Sequence, residues 1–149
     1  MTIQDIQNLS TVEIVGLTID GEAESEPILG QVAVANVIKN RLGSYGRSYG
    51  RSYREVCFFN DAFSCWLPGM DRDRLFSYAQ SMLSSMTVNS IPFQHCLYLA
   101  SLLLADCLID ITGGMNHYLK EEEYRISPPS WALNVPVKHF GSQVFLKVA

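Results

Sequence analysis

Apolar positions recur at helical spacing in four stretches of the chain and alternate weakly in one stretch near its end. Ser10 with Glu13 three residues later makes a capping-box pattern, and Val12, Val15, Leu17 and Ile19 supply a stripe that stops near Gly21. A second helix is predicted after Pro27, with Leu29, Val32, Val34, Val37 and Ile38 apolar and Gly43 closing it. Asp71 or Asp73 is expected to cap a third, carrying Leu75, Phe76, Ala79, Met82, Leu83 and Met86. Pro92 suits the first turn of a fourth, running through Ile111 and ended by Gly113 and Gly114. That last segment is apolar nearly all round, so it is expected to be the central core helix. VPVKHF and SQVFL, on either side of Gly141, read as two short strands or a hairpin. The prediction is a single, mainly α domain over residues 1–149 with a small β hairpin near the C-terminus.

Between the second and third helices lies GSYGRSYGRSYR, residues 43–54, a tandem near-repeat rich in glycine. Each glycine costs a helix about 1 kcal/mol relative to alanine, so a mobile loop is predicted. Its tyrosines interleave with Arg47, Arg51 and Arg54, a pattern that also suits stacking on single-stranded bases. An expanded solvated loop is the favoured reading, because such inserts are common connectors.

Composition narrows the function. With 149 residues, 48% of them apolar, the chain is large enough to bury one core. A net charge of −4 argues against nucleic-acid binding by the whole surface. The longest apolar run, Cys96 to Leu104, falls well short of the roughly 20 residues of a membrane span. The N-terminus lacks the basic and apolar regions of a secretory signal, so synthesis in the cytoplasm is expected. Cys57, Cys65, Cys96 and Cys107 show no CxxC pair and are read as reduced core residues. His95, His117 and His139 show no ligand spacing, so neither a metal nor any other cofactor is expected.

The most unusual stretch is DGEAESEP, residues 20–27, which places Asp20, Glu22, Glu24 and Glu26 together without a Lys or Arg. It follows the end of the first helix, where the negative end of the macrodipole disfavours a carboxylate by about 0.3–1 kcal/mol. A working acid needs burial as well. Glu22, flanked by Gly21 and Ala23, is the side chain best placed to enter a cleft between the first two helices. The competing reading is four solvated carboxylates, with Glu24 and Glu26 favourable at the start of the second helix.

GEAESEPILGQVAVANVIKNRL resembles the signature of the SleB-type cell wall hydrolases, the spore cortex-lytic enzymes and their phage relatives. That signature reads roughly YGEARGEP, then GQVAVA, then a helix ending in NRV. Phe63, Ser64, Cys65 and Trp66 match the FSCW segment, and Thr112, Gly113, Gly114, His117 and Tyr118 match the stretch ending in an HY pair. PSWA, with Trp131, and FGSQVF resemble the C-terminal block. The resemblance implies a lysozyme-like fold and cleavage of the β-1,4 bond between N-acetylmuramic acid and N-acetylglucosamine in peptidoglycan. It places the catalytic glutamate on Glu22, as general acid and then base. Its members are described as lytic transglycosylases, in which the sugar's 6-hydroxyl attacks and leaves a 1,6-anhydro end. For a hydrolysing enzyme, Asp20, Glu26 and Asp61 are the nominees for a second carboxylate. Substrate-binding roles are expected for Glu26, Ser64, Trp66, Tyr118 and Trp131, the tryptophans offering faces to sugar rings.

The chain departs from the pattern at Asp20, Glu24 and Ser25, where the family has Tyr, Arg and Gly, and at Ala62, Gln143 and Leu146, where it has Gln, His and Tyr. The reading reached is a monomeric phage-type endolysin acting on peptidoglycan glycan strands, with no membrane span and no nucleic-acid partner. It would be made in the host cytoplasm and released to the wall through a holin-like pore. The alternatives are a water-adding lysozyme, a non-catalytic wall-binding or virion protein on the same scaffold, and a single-strand nucleic-acid binder acting through residues 43–54.

Overall fold

The computed structural model describes residues 1–148, and for residues 43–48 the backbone without the side chains. Helix α1, Thr11–Ala23, starts on the predicted capping box. The Ser10 hydroxyl accepts from the Glu13 amide at 3.2 Å, and the Glu13 carboxylate accepts from the Ser10 amide at 2.7 Å. Every residue from Ile14 to Asp20 is buried, so α1 is wrapped on all sides and is the central helix of the core. The sequence pattern pointed to α5, Ile91–Leu104, for that place. That helix packs along α1 through Phe93, Cys96, Leu99, Ala100 and Leu103, yet it leaves Ile91 and Tyr98 in solvent.

Helix α5 also ends earlier than its apolar content implied. Asp106 adopts a left-handed φ of 57° just beyond the last turn, and its carboxylate pairs with Lys39. The following residues form a tight loop around Asp110. Its carboxylate accepts from the amides of Thr112 at 2.8 Å and Gly114 at 2.9 Å and from the Asn40 side chain at 3.1 Å. These bonds satisfy backbone donors that would otherwise be left unpaired.

Helix α2, Ile28–Tyr49, runs beyond Gly43, where the sequence reading had closed it. The expected loop over residues 43–54 therefore starts inside this helix, and the side chains of residues 43–48, Arg47 among them, lie outside those described. Helix α3, Tyr53–Phe58, takes up the end of the repeat, with Ser52 as its cap. Arg54 is a brace there, donating to the carbonyls of Gln7 at 2.9 Å and Leu9 at 2.8 Å. Helix α4, Met70–Leu83, follows two short 3₁₀ turns; Gly69, not an aspartate, is its N-cap.

The β element holds one strand more than the predicted hairpin. Strands β1, His117–Lys120, β2, Val137–Phe140, and β3, Gln143–Leu146, form an antiparallel sheet in the order β1-β3-β2. Between β1 and β2 lies the short helix α6, Glu121–Ile126. Strand β3 is buried at all four positions, which is why its sequence alternates so little. In register, Tyr118 lies opposite Phe145 and Lys120 opposite Gln143, and Tyr118 of β1 and Gln143 of β3 both bond to the last turn of α1.

Candidate active site

Glu22 sits in the last turn of α1, and both of its carboxylate oxygens are held by other elements. Its Oε1 accepts from the backbone amide of Cys65 at 2.8 Å and lies 3.4 Å from the Ser64 hydroxyl. Its Oε2 accepts from the Tyr118 hydroxyl at 2.6 Å. The first pair comes from the 3₁₀ turn Ser64–Trp66, the second from β1. The side chain is half-buried and stands on the wall of a groove of about 840 Å³.

The end of α1 is fixed by two side-chain amides. Gln143 donates to the carbonyl of Glu22 at 3.2 Å, and Gln31 donates to the carbonyl of Ala23 at 3.3 Å. Both carbonyls lie in the last turn, where a helix lacks its own donors, and that of Ala23 also accepts from the Glu26 amide at 3.0 Å. Gly21 makes the approach of the 3₁₀ turn possible, since a Cβ at this position would stand 2.5 Å from the Cβ of Cys65.

Asp20 and Arg74 organise the charges on the other flank. Asp20 is fully buried, and burial pushes its carboxyl up to about 6 even though the Arg74 guanidinium beside it acts in the opposite direction. Arg74 binds Asp20 at 3.2 Å, Glu24 at 2.9 Å and Asp71 at 2.9 Å. One cation thus gathers three carboxylates, two of them from the acidic stretch. Around Glu22, burial together with the nearby carboxylate drives the Tyr118 phenol and the Cys65 thiol well above their ordinary ranges, which keeps both neutral. His117 is held down to about 4 by burial and by the positive charge of Arg41, and its Nε2 lies 3.1 Å from the Tyr49 hydroxyl.

The expected site residues divide sharply. Glu22, Ser64 and Tyr118 converge, as described. Glu26 lies on the groove, but its carboxylate is taken up by the β2–β3 turn: it accepts from the Ser142 amide at 3.1 Å and from the Ser142 hydroxyl. In this role it anchors the sheet. Trp66 is 6% exposed, with its indole N–H donated to Thr18 Oγ1 at 3.2 Å and its ring packed on Phe58. It is packed in the core. Trp131 is 41% exposed and packs against the His117 ring, with centroids 5.1 Å apart. Of the nominees for a second carboxylate, Asp20 is buried on Arg74, and Asp61 is exposed in a left-handed conformation outside the groove lining. The sequence reading missed the Cys65 amide, because a backbone donor leaves no trace in residue type. It also missed Arg74, one charge among several on α4.

The model of the cell wall hydrolase family matches residues 25–146 of the chain, beginning three residues after Glu22. A search of curated proteins finds no match. Among solved structures, the catalytic domain of the germination-specific lytic transglycosylase SleB from Bacillus anthracis superposes with a TM-score of 0.62 at 23% identity, over 95% of this chain and 98% of that one. The catalytic domain of the Bacillus cereus SleB protein superposes with a TM-score of 0.59 at 25% identity, over 92% of this chain and 89% of that one. With a family match across most of its length and the SleB catalytic-domain fold, the chain belongs to the cell wall hydrolase family.

Proposed function

We propose that the protein cleaves the β-1,4 bond between N-acetylmuramic acid and N-acetylglucosamine in peptidoglycan, with Glu22 as the single acid and base. The observation that carries this reading is the grip on Glu22, whose two oxygens are fixed by Cys65, Ser64 and Tyr118 beside an open groove. A general acid has to be held within hydrogen-bond reach of the oxygen it protonates, and this carboxyl is oriented for that task. In the first step Glu22 gives its proton to the glycosidic oxygen while the bond to the muramic C1 breaks. In the second, the Glu22 carboxylate takes the proton of the sugar's own 6-hydroxyl as that oxygen bonds to C1. The product is a 1,6-anhydro end, and no water is consumed.

The transglycosylase course is supported by the engagement of two nominated second carboxylates elsewhere, Asp20 with Arg74 and Glu26 with Ser142. A fold neighbour described as a lytic transglycosylase points the same way. Zymography on purified peptidoglycan tests the acid: wild type clears and Glu22→Gln does not, whereas equal clearing by both rejects the assignment. Mass spectrometry of the products tests the course, since reducible ends alone would make the enzyme a water-adding lysozyme. Delivery as a phage-type endolysin belongs to the same proposal. It is tested by expressing the protein in a host with and without a holin, lysis being expected only with the pore.

A further inference from the structure

We infer that Arg41 is a positioning residue of this site, joining the two arms that grip Glu22 and supplying a fixed positive charge against which its carboxylate forms. The inference rests on the reading of Glu22 as the acid. Arg41 lies on α2 and is 5% exposed. Its guanidinium carbon stands 4.7 Å from the centre of the Phe63 ring and 4.9 Å from that of Tyr49. Its Nε donates to the carbonyl of Asn116 at 2.8 Å. Phe63 directly precedes Ser64 and Cys65, and Asn116 stands two residues before Tyr118. One buried cation therefore touches the base of each arm.

The remaining valence of the guanidinium is informative. Its Nη1 is buried without a hydrogen-bond partner, and among the described residues Arg41 forms no ion pair. The two ring faces and the Asn116 carbonyl offset part of the cost of burying this charge, but no carboxylate neutralises it directly. Its field has nearby receivers. Burial lowers the guanidinium's hold on its proton, while Tyr118 on β1, Tyr49 on its own helix, Glu22 on α1 and Cys57 on α3 act in the opposite direction. His117 faces it from β1 and stays neutral, and the Cys65 thiol on the 3₁₀ turn is neutral too. Asp20, on α1 itself, is committed to Arg74. When Glu22 loses its proton to the leaving oxygen, the new anion thus appears at the groove wall with a buried cation already in place behind it.

The test is the pH–rate profile on purified peptidoglycan for wild type, Arg41→Lys and Arg41→Gln, each with its fold checked by circular dichroism. The alkaline limb reports loss of the acid form. Arg41→Gln is expected to lower the plateau by about tenfold and to move that limb upward by roughly one pH unit, because the carboxylate has lost its cation. Arg41→Lys keeps the limb in place while losing the Nε bond to Asn116. A folded Arg41→Gln with an unmoved limb overturns the inference, since a merely structural loss lowers the rate at every pH alike. Should Arg41→Gln not fold, Arg41→Met, which keeps an apolar stem between the two rings but drops the charge, takes its place: a limb raised as for Arg41→Gln supports the role of the charge, and an unmoved limb overturns it. A wild type that releases no muropeptides would instead bring down the proposed function.

Discussion

The Tyr118 hydroxyl, on β1, donates to Glu22 Oε2 at 2.6 Å across a sequence separation of 96 residues. The phenol is neutral, so it can give this bond to the carboxylate throughout the working pH range. Hydrogen bonds to a charged acceptor contribute about 1.5–3 kcal/mol, and this one counts most after the proton has left. Tyr118→Phe is expected to lower turnover on peptidoglycan by roughly ten- to a hundredfold. Steady-state release of muropeptides measures it, with the far-ultraviolet circular dichroism unchanged.

Gly21→Ala is expected to damage the same grip from the opposite side. The added methyl would stand 2.5 Å from the Cys65 Cβ and 2.8 Å from a methyl carbon of Leu75, so the 3₁₀ turn has to retreat. Overpacking of this kind costs about 1–3 kcal/mol, and displacement of the Cys65 amide deprives Oε1 of its shortest bond. Both thermal stability and activity fall. A variant that keeps wild-type activity would show that the turn tolerates the shift.

Asp20 and His117 are expected to oppose each other in the pH dependence of stability. The folded-state carboxyl of Asp20 stands at about 6, above its ordinary 3.8, so between those values the folded protein binds the extra proton. Its contribution is full below about pH 4 and is lost as pH rises through 6, a change on the order of 2–3 kcal/mol. His117 stands at about 4, below its ordinary 6.5, so in nearly the same window the unfolded chain binds the extra proton. Its contribution is full above about pH 6.5 and is lost as pH falls through 4. The two slopes offset one another. Melting temperature against pH should rise from pH 4 to 6 in Asp20→Asn and fall over that range in His117→Gln, with wild type between them.

Glu26→Ala is expected to act on the sheet. It removes both bonds to Ser142 at the β2–β3 turn, where Gly141 adopts a left-handed φ of 58°. The loss should be about 1–2 kcal/mol, which for a domain of this size lowers the melting temperature by roughly 2–8 °C. Activity should drop less than in Tyr118→Phe, because Glu26 reaches the acid only through the strand that carries Gln143. Calorimetry beside a turnover assay separates the two effects.

Where a physical rule acts locally, the sequence was a good guide. Ser10 and Glu13 announced the start of α1, and the small neighbours of Glu22 marked the carboxylate able to turn inward. The rank of the helices was hidden, because burial depends on what surrounds an element. The apolar α5 keeps one face in water, while α1 buries even Thr18 and Asp20 by giving them Trp66 and Arg74 as partners. Strand β1 escaped notice, since four residues ahead of an acidic helix carry too little pattern to reveal pairing with a strand 26 positions away. The burial of Trp66 was hidden for a related reason. A tryptophan's chemistry suits a sugar and a core equally, and only its N–H bond to Thr18 tells which use was made of it.

The short bond from Cys65 to Glu22 is made by main chain, while the buried Cys65 thiol packs against Gly21 and faces the Thr18 carbonyl. The main-chain bond itself does not use the thiol, and the side chain's demand at this position is for volume. Residues 21 and 65 behave as two halves of a fixed allotment of space: a lineage that enlarges one has to shrink the other, or the Glu22 carboxylate loses its seat.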